Sequence, residues 1–317
     1  MQHVLAATVP VFLVVALGYV LTRIGMFRRE DASVLSRFVV KVALPLLIFA
    51  NLAGRSPAEV FHAAYLLTYA LAALVMFGLA ALYGRARGRD RVRTVFMGTG
   101  MAGTNNGFIG FPVFLLLFTE QAGAAVGMGM IVDNALIIPL TLLLAERATG
   151  TGTVRDRLVA TVRGVLLHPM VVAIVAALAL SAAGLEVPSA LGNGVDLLAG
   201  ASTGVALFAV GGMFVGLRIR GALGDVLATV VGKLAVMPAI AVGLLLAFDA
   251  AGLPSLPDEL RAAAVLMCAL PTYSVLPALA EQYGETDVPT ATMMLQTACS
   301  FLTLTGWMLA LSAAGWM

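Results

Sequence analysis

Asp133, followed by Asn134, stands about eleven residues into one apolar stretch, and Lys233 stands about ten residues into another. An ionised side chain at that depth of a hydrocarbon layer costs at least about 2.5 kcal/mol, which makes it a functional candidate by default. The chemistry it suits is coupling: a carboxyl that takes a proton or cation on one side of a membrane and releases it on the other. A structural role, as a neutral hydrogen-bonded carboxyl or an ion pair with Lys233, uses the same residues. Asn105 and Asn106 fall inside the run Gly103-Thr104-Asn105-Asn106-Gly107, with Gly110-Phe111-Pro112 just after it. Tyr273 and Ser274 fall in Pro271-Thr272-Tyr273-Ser274, with Pro277 beyond. Amides and hydroxyls beside interrupted helix can donate to a carboxylate, and a free helix N-terminus adds N–H groups and a favourable dipole. The same amides can instead cap the broken backbone. Gln296 is deep enough to line a solute path or to bind neighbouring helices, and Asn51 suits a path or a helix cap.

The elements that must position these groups are membrane spans. The chain is 61% hydrophobic and 11% charged, with a mean hydropathy of +0.99, outside the range of soluble proteins. At roughly 20 apolar residues per crossing, the sequence divides into ten predicted spans: 4–24, 34–53, 62–82, 94–118, 122–145, 164–183, 191–216, 223–247, 261–280 and 289–314. Fifteen of the 17 arginines flank the odd-numbered loops and two flank the even-numbered ones. Cytoplasmic loops collect Lys and Arg, so both termini are expected outside a plasma or bacterial inner membrane. The basic run Arg85 to Arg93 reads as an anchor facing anionic lipid rather than a nucleic-acid site.

The fourth and ninth spans carry the Gly/Asn and Pro interruptions, about 160 to 165 residues apart, and Pro10 has its counterpart in Pro169. Bare peptide groups survive at membrane depth only where they are buried in protein or line a cavity, and paired interruptions in two halves point to a transporter's site. Five spans is an odd number, so a second five-span unit enters from the opposite face. The expected fold is all-α and integral to the membrane: ten helices in two inverted five-helix repeats, 1–147 and 164–317, joined by a cytoplasmic loop at 148–163. Helices 4 and 9 are its broken crossovers, with Gly103, Gly107, Gly110, Pro112, Pro271 and Pro277 as hinges.

The run from Val11 through Leu17-Gly18-Tyr19, Leu35-Ser36-Arg37-Phe38 and Ala43-Leu44-Pro45-Leu46-Leu47-Ile48-Phe49 resembles the opening of the auxin efflux carrier family. Asn105 with Gly110-Phe111-Pro112 is similar to that family's fourth helix. Pro271 with Leu279-Ala280-Glu281-Gln282-Tyr283-Gly284 is similar to its ninth, and Gln296 to Leu304 to the start of its tenth. The resemblance implies a carrier of small organic anions, mono- or dicarboxylates such as malate, malonate or auxin-like acids, working by alternating access and as a homodimer. The alternative is a sodium-coupled organic-anion symporter of the bile-acid type, whose inverted plan, shared with the NhaA antiporter, would be the same. Either H+ or Na+ is then the coupling ion. No cofactor or metal is expected, because Cys268 and Cys299 make no ligand pattern. An enzyme is not expected either: Asp196 lies too near the outer face to meet Asp133, and His168 has no acidic neighbour.

Overall fold

The computed structural model describes residues 2–55, 60–118, 121–149, 167, 169–185, 187–216 and 222–317, with backbone alone for 2–8. All regular structure among them is helical. We number the helices α1 (Gln2–Arg23), α2 (Arg29–Leu52), α3 (Ala63–Ala86), α4a (Arg91–Ala102), α4b (106–118), α5 (Ala122–Thr149), α6 (Pro169–Ala182), α7 (Ser189–Met213), α8 (Leu223–Ala250), α9a (Asp258–Ala269), α9b (Leu276–Glu281) and α10 (Asp287–Ala313). Among the described residues, seven helical stretches are long and apolar enough to cross a membrane, α4a and α4b counting as one of them. α5 runs to Thr149, so the first two residues of the expected 148–163 loop are helical; the rest of that loop and His168 lie outside the described residues.

Four of these helices widen into a π turn: Val39–Ala43 in α2, Asn106–Gly110 in α4b, Asp133–Ile137 in α5 and Gly232–Val236 in α8. Each is followed two residues later by a proline, namely Pro45, Pro112, Pro139 and Pro238. A proline lacks the N–H for the carbonyl four residues back, and its ring collides with that carbonyl. A widened turn makes room for the ring without ending the helix. Lys41, Asn106, Asp133, Asn134 and Lys233 all ride in these turns, so four prolines help set where polar groups occur along apolar helices.

The chain packs as two compact units, each discontinuous in sequence. One comprises residues 1–62, 106–128 and 164–216. Within it α1 crosses α7 at backbone distance: a Cβ on Gly18 would collide with the Phe208 carbonyl, and one on Gly211 with the Val15 carbonyl. Lipid tails are as apolar as leucine, so such helices are held by close packing, which small residues permit. Gly211→Val should therefore lower the unfolding midpoint of the detergent-solubilised protein, at a cost of about 1–3 kcal/mol or more. Gly204→Val, at a glycine with open space around it, should not. Equal midpoints for the two variants would remove the close crossing from the account.

The second unit comprises residues 63–105, 129–163 and 217–317, and it holds α3, α4a, most of α5, and α8 to α10. Its centre is α9a, where Ala262 through Leu270 are all fully buried, and Phe96 to Ala102 of α4a are buried too. Helices apolar all round belong in such a position. At one end Asp225, also fully buried, accepts from Tyr83 Oη at 3.1 Å and Arg89 Nε at 2.9 Å, while Arg93 bonds Glu285 at 3.2 Å. These bonds tie the end of α3 and the start of α4a to the start of α8 and the turn before α10. Gly88 (φ 60°) makes the left-handed turn that brings Arg89 round, and Asp90 caps α4a through the Val92 and Arg93 N–H groups.

Candidate functional site

α4a ends at Ala102 because Gly103 turns extended (φ −70°, ψ 153°), and helix resumes only at Asn106. α9a ends at Ala269, Leu270 turns extended, and helix resumes at Leu276. Both interruptions expected from glycine, asparagine and proline are therefore present, and their two non-helical segments meet. The Asn105 N–H donates to the Pro271 carbonyl at 2.8 Å, and the Asn105 amide donates to Ser274 Oγ at 2.9 Å.

Breaking a buried helix frees backbone groups that need partners, and the second unit supplies them. Gln296, wholly buried in α10, donates to the carbonyls of Gly100 (3.0 Å) and Thr229 (3.2 Å) and accepts from the Thr272 N–H (2.9 Å). The Lys233 ammonium, also wholly buried, donates to the last carbonyl of α4a, Ala102, at 3.2 Å. A cation at a helix C-terminus also meets the negative end of the helix dipole. Gln296 and Lys233 thus brace the two breaks.

Lys233 reaches further. Its Nζ lies 2.8 Å from Thr104 Oγ1, which lies 2.7 Å from the Tyr69 hydroxyl, which lies 2.7 Å from Asp133 Oδ1. The Tyr273 hydroxyl donates to the same carboxylate oxygen at 3.0 Å. Each hydroxyl has one proton to give. With Tyr69 donating to Asp133, Thr104 accepts from Lys233 and donates to Tyr69, giving a directed chain from ammonium to carboxylate. Asp133 is 2% exposed. A carboxylate so deeply enclosed needs hydrogen-bond donors of this kind.

Gly103 has a second task besides ending α4a. A Cβ there would strike the Tyr273 ring, so the missing side chain is what lets Tyr273 lie across the break and reach Asp133.

Of the residues expected at a site, the fold brings Asn105, Tyr273, Ser274, Asp133, Lys233 and Gln296 into one unit around the breaks. Asn106 is buried and opens the π turn directly after Asn105. Asn134 is half-buried and spends its amide on the Met130 carbonyl one turn back. Asn51 lies in the other unit and donates to Leu47 of its own helix. Pro277 starts α9b, while Gly107, Gly110 and Pro112 lie in α4b. The sequence reading missed Tyr69 and gave Thr104 no role. A tyrosine pair at i, i+4, Tyr65 and Tyr69, on an apolar helix that carries no charge before Arg85 was the available signal.

A family model described as membrane transport protein matches residues 3–308. A Rhizobium meliloti protein named "Putative malonate transporter" is 28% identical over 316 residues, 96% of this chain and 95% of its own length. An Escherichia coli K12 protein named uncharacterized transporter YfdV is 26% identical over 210 residues, covering 64% of this chain and 66% of its own. A Methanothermobacter thermautotrophicus uncharacterized transporter is 31% identical over 148 residues, 45% of this chain and 48% of its own. With apolar helices throughout and these matches along nearly its whole length, the chain is a multi-pass membrane transporter rather than an enzyme, and it belongs to the auxin efflux carrier family of membrane transport proteins.

Proposed function

We propose that this transporter carries small organic anions, mono- or dicarboxylates of the malonate and malate kind, by alternating access around the paired helix breaks, in exchange for or together with a proton taken up at Asp133. The observation that carries the reading is the junction of the two breaks, where Asn105 spans to Pro271 and Ser274. Broken helices that meet deep in a bundle are where carriers of inverted-repeat plan bind their solute. The name of the Rhizobium relative, matched end to end, supports malonate as the first substrate to try. The proposed architecture is ten spans in two inverted five-helix repeats, 1–147 and 164–317, with both termini outside the inner membrane and the unit holding the breaks as the moving body.

In this cycle the solute's carboxylate accepts hydrogen bonds from the Asn105 amide and the Ser274 hydroxyl. Gln296 stays with the backbone it braces. Asp133 and Lys233 sense the solute through Thr104 and Tyr69, so that protonating Asp133 alters the donors around the breaks. Uptake of labelled malonate into proteoliposomes tests this. Asn105→Ala should abolish saturable uptake while the protein still elutes as a single species in detergent. Normal uptake kinetics in that variant would remove Asn105 from the site, and uptake driven by sodium at constant pH would replace the proton with the bile-acid-type coupling.

A further inference from the structure

A cavity of about 550 Å3 opens among the end of α3, the start of α4a and the end of α5, away from the helix breaks. Its inner wall is apolar, from Phe77, Ala81, Val95 and Leu144, and its rim carries Arg85, Arg89, Arg91 and Arg147. Arg89 is committed to Asp225 at 2.9 Å. Arg85, Arg91 and Arg147 are exposed, and among the described residues no carboxylate pairs with them. Asp90, next to Arg91, is spent on the Val92 and Arg93 N–H groups, and Glu146, next to Arg147, is buried with no ion pair to any of the three. Three uncompensated cations thus face one apolar hollow at the ends of apolar helices.

We propose that this cavity binds an anionic phospholipid of the adjoining leaflet, its phosphate held by Arg85, Arg91 and Arg147 and part of an acyl chain lying against Phe77 and Leu144. Charge and depth together select that occupant. Guanidinium groups suit phosphate because their planar donors match its oxygens, and basic pockets between spanning helices on the cytoplasmic side take such headgroups. Depth excludes a small free anion: Phe77 lies eight residues before Arg85 on one helix, about 12 Å along its axis. Inorganic phosphate would satisfy the rim and leave the hollow below it unfilled. The bound lipid also neutralises the charge beside the Arg89–Asp225 contact, so it steadies the end of the unit that contains the helix breaks. The site does not depend on the transport reading.

The test is a thermal-unfolding titration of the full-length protein in a neutral detergent, with phosphatidylglycerol, phosphatidylcholine or inorganic phosphate as the added compound. Phosphatidylglycerol should raise the midpoint by roughly 4 °C at saturation, and the other two should not. The triple variant Arg85→Gln, Arg91→Gln, Arg147→Gln should bind it about 100-fold more weakly, at about a fivefold loss per charge removed. Arg87→Gln should bind normally, since Arg87 stacks over Tyr83 and does not line the cavity. In a Leu144→Trp variant, phosphatidylglycerol brominated on its acyl chain should quench the new fluorescence, and brominated phosphatidylcholine should not. An equal midpoint rise with inorganic phosphate, an equal rise with phosphatidylcholine, unchanged affinity in the triple variant, or absence of selective quenching would each overturn the proposal.

Discussion

Asp133→Asn should uncouple transport from the proton gradient. A carrier moving one proton with its solute gains about 1.4 kcal/mol, or about tenfold accumulation, for each pH unit across the membrane. The variant should equilibrate labelled malonate without accumulating it, at a rate that no longer follows pH. Asparagine is the informative substitution because its carbonyl still accepts from the hydroxyls of Tyr69 and Tyr273, which donate to Asp133 Oδ1. Leucine would strand two phenols at about 1–3 kcal/mol each and confuse uncoupling with unfolding. The directed chain from Lys233 through Thr104 and Tyr69 to Asp133 adds a second readout. In a double-mutant cycle with Lys233→Met, the two stability changes should depart from additivity by about 0.5–3 kcal/mol, as members of one network do. Full accumulation by Asp133→Asn would take proton coupling away from this residue. Additive stabilities would show that the chain does not act as a unit.

Gly103→Ala should cost transport more than it costs stability. Its methyl group would occupy the place of the Tyr273 ring, so either the ring swings off Asp133 or the break itself moves. Displacement of a positioning group by about 1 Å is enough for a rate loss on the order of 100-fold, whereas overpacking at one site costs about 1–3 kcal/mol. Tyr273→Phe separates the two effects, because it removes only the hydroxyl that donates to Asp133 at 3.0 Å. It should retain the fold and lose part of the pH dependence. Adding Tyr273→Ala to Gly103→Ala should restore stability by opening space, without restoring transport. A Gly103→Ala protein with wild-type uptake would mean that the ring tolerates the extra carbon and that the contact is not critical.

Much of this was legible in the residues. Helix stops at Ala102 and Ala269 where glycine, asparagine and proline interrupt apolar runs, because those residues act through the backbone they belong to. Asp133 was conspicuous for the same local reason: a carboxyl amid apolar neighbours must have a partner or a task. The prolines at 45, 112, 139 and 238 were visible too, yet the π turns before them were not foreseen. Whether a proline ends, kinks or widens a helix depends on how the freed carbonyl is satisfied by surrounding groups.

Partnership was decided elsewhere. Lys233 stands 131 residues from the Ala102 carbonyl it caps, and Gln296 stands 196 residues from Gly100; no periodicity within a helix encodes either pairing. The compact units likewise interleave segments from both halves of the chain, whereas the sequence divides most simply at 148–163. By itself the sequence determined which stretches are apolar helix, where two of them break and which charge lies deep, since those follow from neighbours along the chain. Only the tertiary structure decided that a lysine, a glutamine and two tyrosines serve those breaks, because a hydrogen bond needs its partners within about 3 Å, and folding alone brings residues so distant in sequence that close.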